Sequence, residues 1–251
     1  MYNIMHNSKA GMLASQSKID VISNNLTNVQ TVGYKKLEVG FLDLYEENLH
    51  KRSFPTNSKD ATTGTGSRVS QVTRNFSQGA IKETKVKTNL AIDGEGLFRV
   101  RKNDGSYAYT RNGEFNLDAT GKLVDDNGNI LDIRFTNGNL RNTNLKNGEL
   151  SINKSGEVYL DSRKIGDIDL YTTKGDADFT AVGDNLFTAK PGQVETVNKK
   201  TILQGYVETS NVNMKDEIVD LMMAQRAFQY NSRGMQTVDE MWSIANNLQS
   251  R

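Results

Sequence analysis

Cysteine is absent from this 251-residue chain. Disulfides, thiolate metal sites and a cysteine nucleophile are therefore excluded together. Histidine is nearly absent: His6 and His50 are the only two. His6 falls beside an apolar helical row and His50 in a charged, loop-like stretch, so both read as structural or solvated groups rather than an acid–base pair. No HExxH pattern and no nucleophile elbow occurs. Charge of one sign is also lacking. Thirty-one lysines and arginines face 30 aspartates and glutamates, a formal charge of +1, which leaves no global field to attract nucleic acid or anionic lipid. No apolar run approaches the ~18 residues of a membrane span. The first twenty residues lack the continuous apolar segment of a cleaved secretory signal, so export is expected to need another machine. Proline occurs only twice and the hydrophobic fraction is 36%, below the roughly 45–50% apolar content of compact domains. Part of the chain is expected to order only against a partner.

The glycine-rich runs fail as ligand loops. Gly64-Thr65-Gly66 lacks the further Gly and Lys of a phosphate loop, and Gly94-Glu95-Gly96 sits between strand-like pieces with Arg99 where a dinucleotide fold wants glycine. In Asp125-Asp126-Asn127-Gly128, alignment to a calcium loop puts Leu123 and Arg134 at ligand positions. Carboxylates are scattered over the β-like middle with nothing to single out a catalytic pair. No cofactor, metal or small-molecule substrate is expected.

What the sequence has is two helices at its ends. Met5, Met12, Ile19 and Leu26 recur at sevens, with Ile22 at the intermediate step, a narrow seam suited to a second helix. This row ends near Asn28, before Gly33 allows a turn. At the other end Asn213 is placed to cap a helix, with Asp216 and Glu217 in its first turn. Its apolar row runs through Met214, Ile218, Leu221, Phe228, Met235, Val238 and Trp242. Each seam is too narrow to form a core alone, and helices are held by packing more than by propensity; the two seams are expected to meet each other or other copies.

Between them the chain reads as β. RVSQVTRNF and the GELSI and GEVYL pieces have strand patterns. Asn112-Gly113, flanked by Tyr107, Tyr109, Phe115 and Leu117, predicts a hairpin turn; Asn127-Gly128, Asn137-Gly138 and Asn147-Gly148 repeat that punctuation. LEVGFLDLYEENLHK reads as a short helix or as a strand followed by a loop, and SFPTNSKDATTGTGS as an exposed loop. The fold class is α+β: terminal helices paired as a coiled coil, a central all-β domain (small sandwich or open barrel), and an extended β/loop connecting region. The expected boundaries are 1–33 for the N-terminal helix, 34–76 for the connecting region, 77–190 for the β domain, 191–211 for a returning strand or linker, and 212–251 for the C-terminal helix.

The words at both ends also resemble a known family. SKIDVISNNLTNVQTVGYKK is similar to the N-terminal signature of bacterial flagellar axial proteins, carried here by Asn24, Asn25, Leu26, Asn28, Thr31, Gly33, Tyr34 and Lys35. LQGYVETSNVNMKDEIVDLMMAQRAFQYNSRGMQTVDEM looks like the matching C-terminal signature. NFSQGAIKETKVKTNLAIDGEGLFRV, YAYTRNGEFNLDATGKLVDDNGNIL and AVGDNLF resemble the middle of the basal-body rod members. Length favours rod proteins over the longer hook protein. The middle is most like the distal rod members, then the proximal ones, while Leu44 to Ser67 departs most from the pattern. The resemblance implies a helical homo-polymer through the cell envelope that transmits torque from motor to hook. It implies paired terminal helices lining the inside, a β domain outside, and export through the flagellar type III apparatus without a cleaved signal. Other rod and hook proteins would be its partners. A secreted β-rich adhesin or carbohydrate-binding module is the alternative from another class; it predicts dispensable ends.

Overall fold

The computed structural model describes residues 2–43, 46–48, 62–64, 67–136, 145, 148–174, 179–190, 192–197 and 200–249. The readings on His50, Asn137-Gly138, Asn147 and most of the loop at 53–67 fall outside these residues.

In chain order, helix α1 (Tyr2–Thr27) precedes β1 (Leu37–Asp43), β2 (Glu46–Asn48), β3 (Thr62–Gly64) and β4 (Ser67–Arg74). Then come β5 (Ile81–Glu83), β6 (Leu90–Ile92), β7 (Leu97–Arg101), β8 (Tyr107–Thr110), β9 (Asn116–Leu117), β10 (Leu123–Val124), β11 (Ile130–Leu131) and β12 (Ile133–Phe135). They are followed by β13 (Leu150–Ile152), β14 (Glu157–Leu160), β15 (Arg163–Ile168), β16 (Leu170–Thr173), β17 (Thr180–Gly183) and β18 (Leu186–Thr188). Last are β19 (Val194–Thr196), β20 (Ile202–Gln204), β21 (Tyr206–Glu208) and helix α2 (Met214–Gln249). The fold is α+β, with a helix at each end and a β-rich centre.

Two compact units account for the chain. The first comprises Met1–Thr27, Lys36–Asn75 and Val212–Arg251. Here α1 and α2 pack against each other and α1 also packs on the antiparallel pair β1–β4. LEVGFLD is thus a strand, bulged between Val39 and Phe41. The 36 residues of α2 span about 54 Å at 1.5 Å per residue. Its start follows from local chemistry. The Asn213 side-chain oxygen accepts from the Lys215 amide at 3.1 Å and its carbonyl accepts from Glu217 at 3.1 Å, satisfying donors that a helix leaves open at its first turn.

The second unit comprises Asn28–Lys35 and Phe76–Asn211. A nine-stranded antiparallel sheet runs β17-β18-β8-β7-β11-β10-β9, with β16 joined to β7 and β19 joined to β16. Among the described residues it ends on β17, β9 and β19 and does not close into a barrel. A second sheet has the order β12-β15-β14-β13, and short pairs β20–β6 and β21–β5 complete the unit. Leu90, Ile92, Phe98, Val100, Phe115, Leu123, Ile168, Leu170 and Ile202 form its buried centre. Phe98 meets Phe115 edge-to-face, centroids 5.7 Å apart, an arrangement the ring quadrupoles favour.

Two Asn-Gly pairs behave differently. Asn127-Gly128 does turn the chain between β10 and β11: Gly128 has φ +79°, and the Asp125 carboxylate accepts the amides of Asn127 and Asn129 at 3.0 and 2.8 Å. Asn112-Gly113 is not a hairpin turn. Gly113 lacks a positive φ, and a Cβ there would lie 1.6 Å from the Leu90 carbonyl oxygen. Glycine is required at that position because two backbones touch, a demand invisible to a turn rule.

Candidate functional site

Both terminal signatures reach onto the helix pair. α1 and α2 run antiparallel: Ser8 lies against Gly234, Gly11 against Asn231, and Asn25 against Glu217. Lys18 pairs with Asp220 at 3.2 Å. A Cβ on Gly11 would come 2.6 Å from the Asn231 amide, so glycine in mid-helix, a costly choice for propensity, is explained by close approach.

Of the expected seam residues, Ile22 and Val238 are buried. Met5, Met12, Ile19, Leu26, Leu221, Phe228 and Met235 are half-buried. Ile218 and Trp242 are exposed, at 37% and 39%. The innermost positions instead hold Ser8, Ala14, Ser15 and Asn25 on α1, and Glu217 and Ala224 on α2. Hydrophobic periodicity misses these because they are small or polar. Their sevenfold spacing (Ser8, Ser15, Ile22; Glu217, Ala224, Val238) was the signal that could have found them.

The N-terminal motif divides between the two units. In the first, Asn24 is exposed and Leu26 half-buried, while Asn25 is 1% exposed. The Asn25 amide donates to the Leu37 carbonyl at 2.9 Å and to Glu217 at 3.1 Å, and its oxygen accepts the Leu37 amide at 2.9 Å. Glu217, itself 1% exposed, also pairs with Lys36 at 2.6 Å. The hydrogen bond to this carboxylate is the main stabiliser of the Lys36 ammonium and raises its pKa, opposed by partial burial.

In the second unit the Thr31 hydroxyl donates to the Asn28 side chain at 3.2 Å. Gly33 turns with φ +67° and its amide donates to the Glu208 carbonyl at 2.8 Å. Tyr34 and Lys35 are buried. The Lys35 ammonium donates to the Ser77 carbonyl at 2.7 Å and to the Glu208 carboxylate at 2.6 Å. Arg111 donates to the other oxygen of Glu208 at 2.5 Å and the Gly79 amide donates to the first at 2.8 Å. Burial pushes the Lys35 pKa down, against the bond to Glu208. The Arg111 guanidinium also donates to the carbonyls of Gly94 and Gly96. That loop therefore presents acceptors inward, the wrong polarity for a phosphate. Sequence reading missed this cluster, since Lys35 and Glu208 are 173 residues apart.

The most conspicuous surface feature is on α2. Val219, Met222, Met223, Tyr230, Met241, Ile244 and Leu248 are all at least half exposed. At 100° per residue they share one stripe of the helix, opposite the row of Leu221, Phe228 and Met235. His6 is exposed, and among the described residues no group of His, Asp and Glu is arranged to hold a metal and no helix is long and apolar enough to cross a membrane.

Similarity to known proteins covers the whole chain. Residues 5–35 match the family described as flagella basal body rod protein, 91–160 the flagellar hook protein FlgE/F/G D1 domain, and 203–248 the flagellar basal body rod FlgEFG protein C-terminal family. The flagellar basal-body rod protein FlgG of Borreliella burgdorferi is 31% identical over 262 residues, covering 99% of each chain. The chain belongs to the flagellar basal-body rod protein family. The FlgG of Bacillus subtilis is 33% identical over 99% of each chain, and that of Buchnera aphidicola from Acyrthosiphon pisum 36% identical over 93% of this chain and 95% of its own. The flagellar hook protein FlgE of Helicobacter mustelae aligns with only 49% of this chain and 28% of itself. As a member of the family this chain is a structural component of the flagellar basal body and not an enzyme, most like the distal-rod proteins.

Proposed function

We propose that this rod subunit assembles through its terminal helices, which act as a two-stranded coiled coil within each copy and carry contacts between copies on the outer face of α2. The observation that carries this reading is the exposed stripe from Val219 to Leu248. Burying a Met, Leu or Ile side chain contributes about 1.5–3 kcal/mol, and a long apolar stripe on a helix marks an interaction surface. The half-buried row of Met5, Met12, Ile19 and Leu26 against Leu221, Phe228 and Met235 forms the flanks of the intramolecular seam. The β unit then spreads load to neighbouring copies, which suits a shaft that transmits torque from motor to hook. Other rod and hook proteins at the ends of the polymer, and the flagellar export apparatus, complete its partners. Near full-length alignment with rod proteins, against a partial one with a hook protein, favours a rod position.

Met222→Asp and Ile244→Asp test the reading by sedimentation of polymer and by rod assembly in cells. Each places a charge at a contact without touching the helix seam. The expected result is loss of polymer from a soluble subunit with unchanged circular dichroism. Normal polymer yield from both variants would remove the α2 face from the assembly.

A further inference from the structure

The seam between α1 and α2 is poor at defining its own register. Its buried residues include the small Ser8, Ala14, Ser15 and Ala224 beside the larger Ile22 and Val238, and Ser8 and Ser15 repeat after one heptad. Those small positions by themselves discriminate weakly between alignments one heptad apart. A buried polar group in a helix seam fixes register at a cost in stability, and at one end of this pair the buried Asn25 and Glu217 meet. Asn25 holds the main chain of Leu37 by two hydrogen bonds, so Lys36 travels with α1. Glu217 comes from α2 and meets both the Asn25 amide and the Lys36 ammonium. Any slip separates Glu217 from both partners at once and leaves a carboxylate that is 1% exposed to be paired elsewhere or desolvated, a costly outcome.

We infer that Glu217, read by Asn25 and Lys36, is the residue that specifies the register of the terminal-helix pair. Its role is selection among alignments rather than net stabilisation, because replacing a buried ion pair with an apolar residue is often neutral for stability. The inference concerns contacts within one copy and holds whether or not the outer face of α2 carries assembly.

Disulfide trapping in the full chain tests it, and the absence of native cysteine gives a clean background. A Cβ at Gly234 would lie 4.0 Å from that of Ser8, inside the roughly 3.5–4.5 Å range of disulfides. The pair Ser8→Cys with Gly234→Cys therefore reports the native register. Ser8→Cys with Ala227→Cys, or with Met241→Cys, reports a slip of one heptad either way. On the native background only the first pair should close. With Glu217→Leu added, at unchanged helical circular dichroism, a slipped pair should close to an extent comparable with the native one. Glu217→Gln, which keeps an acceptor for Asn25, should retain the native pair. The inference fails if Glu217→Leu still closes only the native pair. It also fails if Glu217→Leu loses helical structure while Glu217→Gln does not, since Glu217 would then stabilise the pair rather than select its register.

Discussion

Glu208 is the shared partner of two buried cations, and its removal breaks both buried ion pairs at once. Glu208 and Lys35 are 1% exposed and Arg111 4%, so solvent screens none of them. Replacing Glu208 by alanine leaves both cations without their carboxylate and the Gly79 amide without an acceptor. Breaking a buried pair by deleting one partner costs about 3–5 kcal/mol, and here two pairs lose the same partner. Lys35→Met is predicted to be milder, about 1.5–3 kcal/mol for a charged hydrogen bond, because Glu208 keeps Arg111. Urea unfolding of the full chain, followed by the sheet signal in far-ultraviolet circular dichroism, separates the two. Burial lowers the Lys35 pKa, so just below its ordinary value of 10.5 the unfolded chain binds the proton more readily than the folded one. This lysine's contribution to stability therefore rises with pH through that window, and Lys35→Met should abolish the rise. Equal losses in the two variants, or a Glu208→Ala loss within about 1 kcal/mol of zero, well below the usual cost of a broken buried pair, would show that Glu208 is not the shared anchor of the two cations.

Three further outcomes concern single residues. Gly113→Ala should prevent stable folding or cost more than about 3 kcal/mol, since the new Cβ would fall 1.6 Å from a backbone oxygen that cannot swing aside. Gly128→Ala, with φ +79° and no neighbour nearer than 3.8 Å, should cost only the left-handed penalty of about 1–2 kcal/mol; thermal melts of the two variants compare them. Lys36 has a raised pKa, so its stabilisation of the helix pair is complete below pH 10.5 and lost as pH climbs through the raised value. An alkaline titration of helicity should show that loss in the native chain and not in Lys36→Met.

The two helices, the Asn213 cap and strands such as β4, β13 and β14 were legible because their signals are local: a period, a capping residue, an alternation. The helix seam was legible only to within a row. Periodicity finds the apolar rows, here Met5 to Leu26 and Leu221 to Met235, but close packing is achieved by Ser8, Gly11 and Gly234, which carry no hydrophobic signal. The polar contacts were hidden for a different reason. Lys35 with Glu208, and Asn25 with Glu217, join distant segments whose meeting depends on the whole fold. Gly113 misled because an Asn-Gly pair has two uses, a turn and a close backbone approach, and only the fold tells them apart.

We propose that the terminal helices build the polymer, with the outer face of α2 between copies. A cryo-electron microscopy map of the assembled filament, at a resolution that places side chains, tests it most directly. Val219, Met222, Tyr230, Ile244 and Leu248 are expected to lie buried against a neighbouring copy. A filament held together by β-unit contacts alone, with that face of α2 open to solvent, would contradict it.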